Sequence, residues 1–203
     1  MREMTRSATL MQAAEEASDM ENPAELLLIC LVIPLWFLAG VVDWFCHRRA
    51  DISHTAGSFE SVLHLLMFGE AGLGIVLCLF CEINSLIFLL LVLLFLCHEA
   101  TALWDVRYAT AHREVNYWEQ HVHSFLEMMP LAAIVLLMCL HWPQARALLM
   151  LNAGAGDWGL HAKSSPLPAA YIAVFLIAAL VLELVPYAYE LWTGWRDYGV
   201  RAK

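Results

Sequence analysis

Histidines and carboxylates recur at helical spacing in four apolar stretches of this sequence. Residues that are four or seven positions apart lie on one face of an α-helix. The pairs with this spacing are Asp43 and His47, Glu60 and His64, His98 and Asp105, and Glu119 and His123. Imidazole and carboxylate groups together are the ligands of two-metal sites in helical bundles, where carboxylates bridge and neutralise the cations. The pattern predicts a site for two divalent metal ions, with iron as the leading candidate and zinc or manganese as alternatives.

Two further histidines join the predicted ligand set because of their positions in the chain. His54 is in the short loop between the first two stretches, where it is predicted either to bind metal or to lie beside the N-terminus of the second helix. His112 precedes Glu119 by seven residues and is predicted to share its helical stripe. The full set of predicted metal ligands is Asp43, His47, His54, Glu60, His64, His98, Asp105, His112, Glu119 and His123.

Other polar residues in the apolar stretches are assigned to supporting roles. Glu70 lies on a different helical face from the predicted ligands, so it is predicted to relay protons or to contact a neighbouring helix. His121 is two residues from His123 and is predicted to form hydrogen bonds rather than to bind metal. A polar stripe on the last stretch is predicted to close one side of the site, to line a substrate entrance or only to dock its helix. The members of this stripe are Glu183, Tyr187 and Glu190.

The composition indicates that the apolar stretches are membrane-spanning helices. The chain has 203 residues, of which 61% are hydrophobic and 15% are charged, and this excludes a soluble domain of average composition. A helix needs about 20 residues to cross a hydrocarbon layer of about 30 Å, and five stretches reach that length. They are predicted at 24–46, 58–81, 83–106, 115–141 and 167–193.

The predicted fold is an all-α integral membrane protein with five transmembrane helices, four of which form a bundle around the metal site. Successive helices run in opposite directions, so pairs near the C-terminal ends of helices one and three meet pairs near the N-terminal ends of helices two and four. The site is therefore predicted in one layer near the cytoplasmic side. The predicted domain organisation is a polar acidic tail at 1–22, a single transmembrane domain at 23–196 and a short basic tail at 197–203.

The clustering of histidines at the cytoplasmic end of a helical bundle resembles the membrane di-iron oxygenases of the fatty-acid desaturase and hydroxylase group. The resemblance is one of architecture, since the HxxxH and HxxHH boxes of that group are replaced here by His121-Val122-His123 and by carboxylates. The ligand mix also resembles that of ferritin-like di-iron proteins, with ExxxH in place of ExxH. These resemblances imply a non-haem di-iron oxidoreductase that acts on a lipid or hydrophobic small molecule and takes electrons from a donor. No nucleic-acid partner is predicted.

Three other functions are compatible with the same residues. An intramembrane zinc hydrolase would use three ligands to hold zinc and a carboxylate to activate water, with Ser61 positioning a ligand or stabilising an oxyanion. A metal transporter or sensor would need ionisable groups near the membrane midplane, whereas the outer halves of these spans are nearly free of them. A b-type cytochrome would use two histidines on facing helices to bind haem iron.

The distribution of basic residues predicts that the N-terminus is outside and the C-terminus is cytoplasmic, because cytoplasmic loops carry an excess of Lys and Arg. The side predicted to be cytoplasmic carries Arg48, Arg49, Arg107, Arg113, Arg196, Arg201 and Lys203. The other side carries Arg2, Arg6, Arg146 and Lys163. We expect a reporter fused after Lys203 to be active only in a cytoplasmic assay. A fusion after Lys163 should give the reverse result, and activity of the Lys203 fusion outside the cell would contradict this orientation.

Overall fold

The chain folds into helices, five of which are long and apolar enough to cross a membrane. The computed structural model of the protein describes residues 22–50, 57–150 and 154–201. The described helices are α1 (Pro23–Ala50), α2 (Ser58–Phe80), α3 (Ser85–His112), α4 (Tyr117–Leu140), α5 (Trp142–Leu149) and α6, which runs through Ala169–Ala179, Leu180–Leu184 and Val185–Arg201. All except α5 coincide with a predicted span. The prediction of an all-helical fold with five apolar spans is thus confirmed.

Asparagine side chains cap the N-termini of three of the long helices. Asn22 accepts a hydrogen bond from the Ala24 amide at the start of α1, and Asn84 accepts one from the Ile87 amide at the start of α3. Asn116 accepts from two amides at the start of α4. These bonds satisfy amides that have no partner inside the first turn of a helix. The caps therefore decide where the turns between the spans end.

A π-helical turn interrupts both α1 and α6, and in each case a proline follows. Leu28–Val32 is π-helical just before Pro34, and Leu180–Leu184 is π-helical just before Pro186. A proline ring clashes with the carbonyl four residues earlier and removes one backbone donor. A π-turn relieves that clash by widening the helix locally. On α6, the turn includes Glu183 and lies just before Tyr187, so it affects how these side chains are presented.

The long helices pack so that the predicted pairs come to the same end of the protein. Helix α1 packs against α4, α2 packs against α3 and α6, and α3 also packs against α4. The C-terminal ends of α1 and α3 meet the N-terminal ends of α2 and α4 at one end of the bundle. We call this end the site end. The opposite end, where α2 ends and α3 begins, we call the cap end.

A structured segment covers the cap end. The sequence predicts a loop of about 24 residues here, and the described part contains helix α5. Ser85 donates to the Gln144 carbonyl, Asn84 donates to the Gly159 carbonyl at 2.7 Å, and Lys163 donates to the Cys78 carbonyl at 2.8 Å. These hydrogen bonds attach the segment to the α2–α3 turn through neutral backbone groups.

Replacing Asn84 by alanine is expected to destabilise the protein by about 2 to 3 kcal/mol, because it removes both a helix cap and a partly buried hydrogen bond to Gly159. Asn22→Ala is the matched control, since that exposed cap has only its local bond and should cost about 1 kcal/mol or less. Reversible unfolding in mixed detergent measures both values. Equal losses in the two variants would show that the Gly159 contact contributes nothing.

Candidate metal centre

Four side chains from three helices converge at the site end. Asp43 and His47 come from α1, His64 from α2 and His123 from α4, and each offers one ligand atom within 4.8 Å of the others. The three residues other than His123 are at most 5% exposed. The α1 pair is one helical turn apart, as its spacing predicts. Three imidazoles and one carboxylate thus surround a single point inside the bundle.

Two further groups of potential ligands adjoin this one and share members with it. Glu60 and Glu119 join His47 in one group, and Glu60 and Asp105 join His64 in the other. All five of these residues are buried. Because His47, His64 and Glu60 each belong to two groups, the three groups form one continuous cluster rather than separate sites.

The Asp43 carboxylate is the most connected acceptor in this cluster. Its Oδ2 accepts a hydrogen bond of 2.9 Å from the Tyr187 hydroxyl on α6 and lies 3.3 Å from His47 Nε2. Its Oδ1 lies 2.9 Å from His123 Nε2. One carboxylate therefore contacts polar groups from α1, α4 and α6.

Several buried ligand atoms of the cluster make no hydrogen bond within the described part of the chain. These atoms are both ring nitrogens of His47, His64 Nδ1 and Asp105 Oδ1. A buried polar atom without a partner costs about 1 to 3 kcal/mol, so such atoms need another occupant. A cation bound by imidazole and carboxylate would supply that partner. The donor set therefore fits a metal site.

Arg113 lies inside the cluster, although the sequence indicates only a loop cation. It follows the last residue of α3 and forms an ion pair with Glu60 at 2.5 Å and another with Glu119. Burial disfavours the charged guanidinium, but hydrogen bonds to Glu119 and Glu60 outweigh it and raise the pKa of Arg113 above its ordinary value. The guanidinium thus pairs with two buried carboxylates that would otherwise have no cation beside them.

Helix α6 closes one side of the cluster. Ser61 donates to Glu190 Oε1 at 2.8 Å, and the other oxygen of Glu190 lies 3.9 Å from His47 Nδ1. Gly40 on α1 leaves room for the Glu183 carboxylate, which a Cβ at this position would contact directly. Glu183 and Tyr187 also line an apolar cavity, so these contacts fit a stripe that closes the site or lines a substrate entrance.

The structure separates His98 from the cluster, although the sequence places it in the ligand set. Asp105, two turns further along α3, contacts His64 at 3.2 Å, while the His98 ring lies beside Glu70 of α2. A seven-residue spacing keeps two residues on one stripe but also separates them by about 10 Å along the helix. His98 therefore belongs to a different layer of the bundle.

The prediction that His112 shares a helical stripe with Glu119 is wrong. His112 is the last residue of α3, Arg113 is extended, and a new helix starts at Tyr117 after its Asn116 cap. The exposed His112 ring stacks on Tyr108 and contacts the Tyr108 carbonyl. His54 lies outside the described residues, and the exposed His121 packs against Phe125.

Sequence reasoning omitted Arg113, Tyr187, Glu190 and Ser61 from the ligand prediction, and each now has a contact in the cluster. Two sequence features could have indicated these contacts. Ser61 lies between Glu60 and His64, and Tyr187 and Glu190 belong to the polar stripe on the last span. Nothing comparable marks Arg113, because a basic residue after a transmembrane helix is common at the cytoplasmic interface.

A large cavity extends from the cluster toward the cap end. It has a volume of about 1420 Å³ and its wall is mostly apolar. Asp43, Asp105 and His123 line one end, and His141 and Lys163 line the other. The 18 residues from His123 to His141 correspond to about 27 Å of helix. The cavity is therefore long and wide enough for a lipid chain to reach the cluster.

No family model, curated protein or solved structure matches this chain. Functional inference therefore depends on the chemistry of the described side chains.

Replacing Arg113 by methionine is expected to lower stability by about 3 to 5 kcal/mol in metal-free protein, because Glu60 and Glu119 lose the cation with which they pair. Arg107→Met is the matched control, since Arg107 is an exposed arginine on α3 and its loss should cost well under 1 kcal/mol. Chemical unfolding in detergent gives both values. Combining Arg113→Met with Glu60→Gln and Glu119→Gln should restore most of the loss, and no restoration would contradict the proposed charge balance.

Proposed function

We propose that this protein is a membrane-embedded non-haem di-metal oxidoreductase, with iron as the metal, that acts on a lipid or hydrophobic small molecule. The observation that carries the proposal is the continuous cluster of three shared ligand groups at the end of an apolar cavity. In the orientation that the basic residues favour, this cluster lies near the cytoplasmic side and the C-terminus is cytoplasmic.

The number and type of ligands support two metal ions rather than one. The cluster holds three histidines and four carboxylates, whereas a closed mononuclear zinc site needs four ligands. Four carboxylates balance the charge of two divalent cations, which makes their burial in an apolar bundle tolerable. The ligands are His47, His64, His123, Asp43, Glu60, Asp105 and Glu119.

When bound, two iron ions would supply redox chemistry with oxygen, using electrons from an external donor. The side chains of this protein would then orient the ligands and hold protons. The Glu190 carboxylate lies 3.9 Å from His47 Nδ1, where its negative charge would favour a proton on Nδ1 and so leave Nε2 for the metal. Tyr187 holds Asp43 through its hydroxyl and fixes the direction of that carboxylate.

The cavity supports a substrate that enters from the bilayer. Its apolar wall would bind hydrocarbon through the same area-dependent free energy that drives apolar burial elsewhere. A cation conduit would need polar groups along its length, so the apolar wall argues against a metal transporter.

An intramembrane zinc hydrolase is the second candidate, and Arg113 is the observation that favours it. The guanidinium already pairs with Glu60 and Glu119, so a second metal would have to displace it. His47, His64 and His123 would then hold one zinc ion, and Asp43 beside them would activate its water. The number and identity of bound metals distinguish these two functions.

We expect detergent-purified protein to hold two iron ions per chain, and Glu60→Ala combined with His123→Ala to abolish binding of both. The double variant removes one member from each of the three ligand groups. Inductively coupled plasma mass spectrometry after anaerobic reloading with Fe²⁺ measures the content.

His141→Ala and His161→Ala are the matched controls and should retain full occupancy, because both residues lie at the cap end. His161 there pairs with Asp157. If the protein holds one zinc ion per chain, and the single variant Glu60→Ala still holds it, the zinc hydrolase would replace the oxidoreductase as the proposed function. Full occupancy in the double variant would remove the whole site from consideration.

A further inference from the structure

A second polar group faces the cavity, one layer deeper than the metal-ligand cluster. Glu70 on α2 and His98 on α3 both line the cavity, and the His98 residue is 8% exposed overall. The Thr101 hydroxyl donates to Glu70 Oε1 at 2.9 Å. Glu70 is thus held from one side by a hydrogen bond, and its other carboxylate oxygen faces the His98 ring.

The atoms that remain face each other across a gap. His98 Nδ1 and Glu70 Oε2 are 3.8 Å apart, which is too far for a direct hydrogen bond. Both are buried and make no hydrogen bond within the described part of the chain. Polar atoms left without partners in an apolar surrounding are costly, so this gap requires a polar occupant.

A hydroxyl oxygen has the right chemistry for this gap. It can accept from whichever of the two atoms carries a proton and donate to the one that does not. A carbonyl oxygen could only accept. A carboxylate would be repelled by Glu70, and an ammonium group would bring a second charge into an apolar cavity. A neutral hydroxyl therefore satisfies both atoms at the smallest cost.

We propose that Glu70 and His98 bind a hydroxyl group of a long-chain lipid substrate, whose hydrocarbon lies in the cavity and reaches the metal-ligand cluster. This inference rests on the proposed function and specifies its substrate class. Glu70 is six residues beyond His64, and His98 is seven residues before Asp105, so the hydroxyl site is about 9 to 11 Å from the cluster along the helices. The reacting carbon is then remote from the hydroxyl by several methylene groups.

Equilibrium binding of tritiated dodecanol and tritiated dodecane to the purified, full-length protein tests this proposal, with concentrations expressed per mole of detergent. The two probes differ only in the hydroxyl. We expect dodecanol to bind at least about fivefold more tightly, because one net hydrogen bond contributes about 1 kcal/mol. Glu70→Leu and His98→Leu should reduce this ratio to about one while dodecane still binds.

Glu127→Leu is the matched control, since Glu127 also lines the cavity and its loss should leave the ratio unchanged. Retained dodecane binding shows that the cavity of each variant is intact. If Glu70→Leu does not fold, Thr101→Val removes the donor that orients Glu70, and it should lower the ratio by at least about twofold.

Equal binding of the two probes by the unaltered protein would overturn the proposal and assign the gap to water. An unchanged ratio in both Glu70→Leu and His98→Leu would overturn it as well. Metal content measured on the same samples separates the two proposals. If the unaltered protein holds two metals but binds dodecanol and dodecane equally, the oxidoreductase proposal is retained and this substrate class is rejected. If it holds no metal but binds dodecanol about fivefold more tightly, the hydroxyl site is retained and the oxidoreductase proposal is rejected.

Discussion

The burial of the Asp43 carboxylate among apolar helices is the constraint on which the rest of this structure depends. An unpaired charge there would be too costly for the fold to keep. Groups from α1, α4 and α6 meet the carboxylate through His47, His123 and Tyr187. Because lipid provides little hydrophobic force between helices, such polar contacts help to decide which helices pack together. The site is thus part of what orders the bundle.

Arg113 is a second buried charge on which the packing of the helices depends. Its guanidinium joins the start of α2 to the start of α4 by pairing with Glu60 and Glu119. The same carboxylates are candidate metal ligands, so either the Arg113 guanidinium or a metal ion is needed beside them. Metal binding and the position of Arg113 are therefore expected to be linked.

The two ends of the bundle are stabilised by different chemistry. At the cap end, Asn84, Ser85 and Lys163 donate to backbone carbonyls, and no ion pair between long helices is described there. At the site end, imidazoles and carboxylates face one another in a closed cluster. The apolar cavity connects these ends and is interrupted midway by Glu70 and His98. A hydrophobic substrate would therefore meet its few polar contacts at defined depths.

The sequence by itself determined the five spans and the layer in which Asp43, His47, His64 and His123 meet, because helix length, helical period and alternating direction follow from local pattern alone. The sequence misplaced His112 because the turn after α3 depends on the Asn116 cap. It grouped His98 with Asp105 because residues on one helical stripe can lie at different depths along the helix axis. The role of Arg113 came only from the tertiary structure. Which cation balances a buried carboxylate depends on distances between helices that are remote in sequence, and no local pattern encodes those distances.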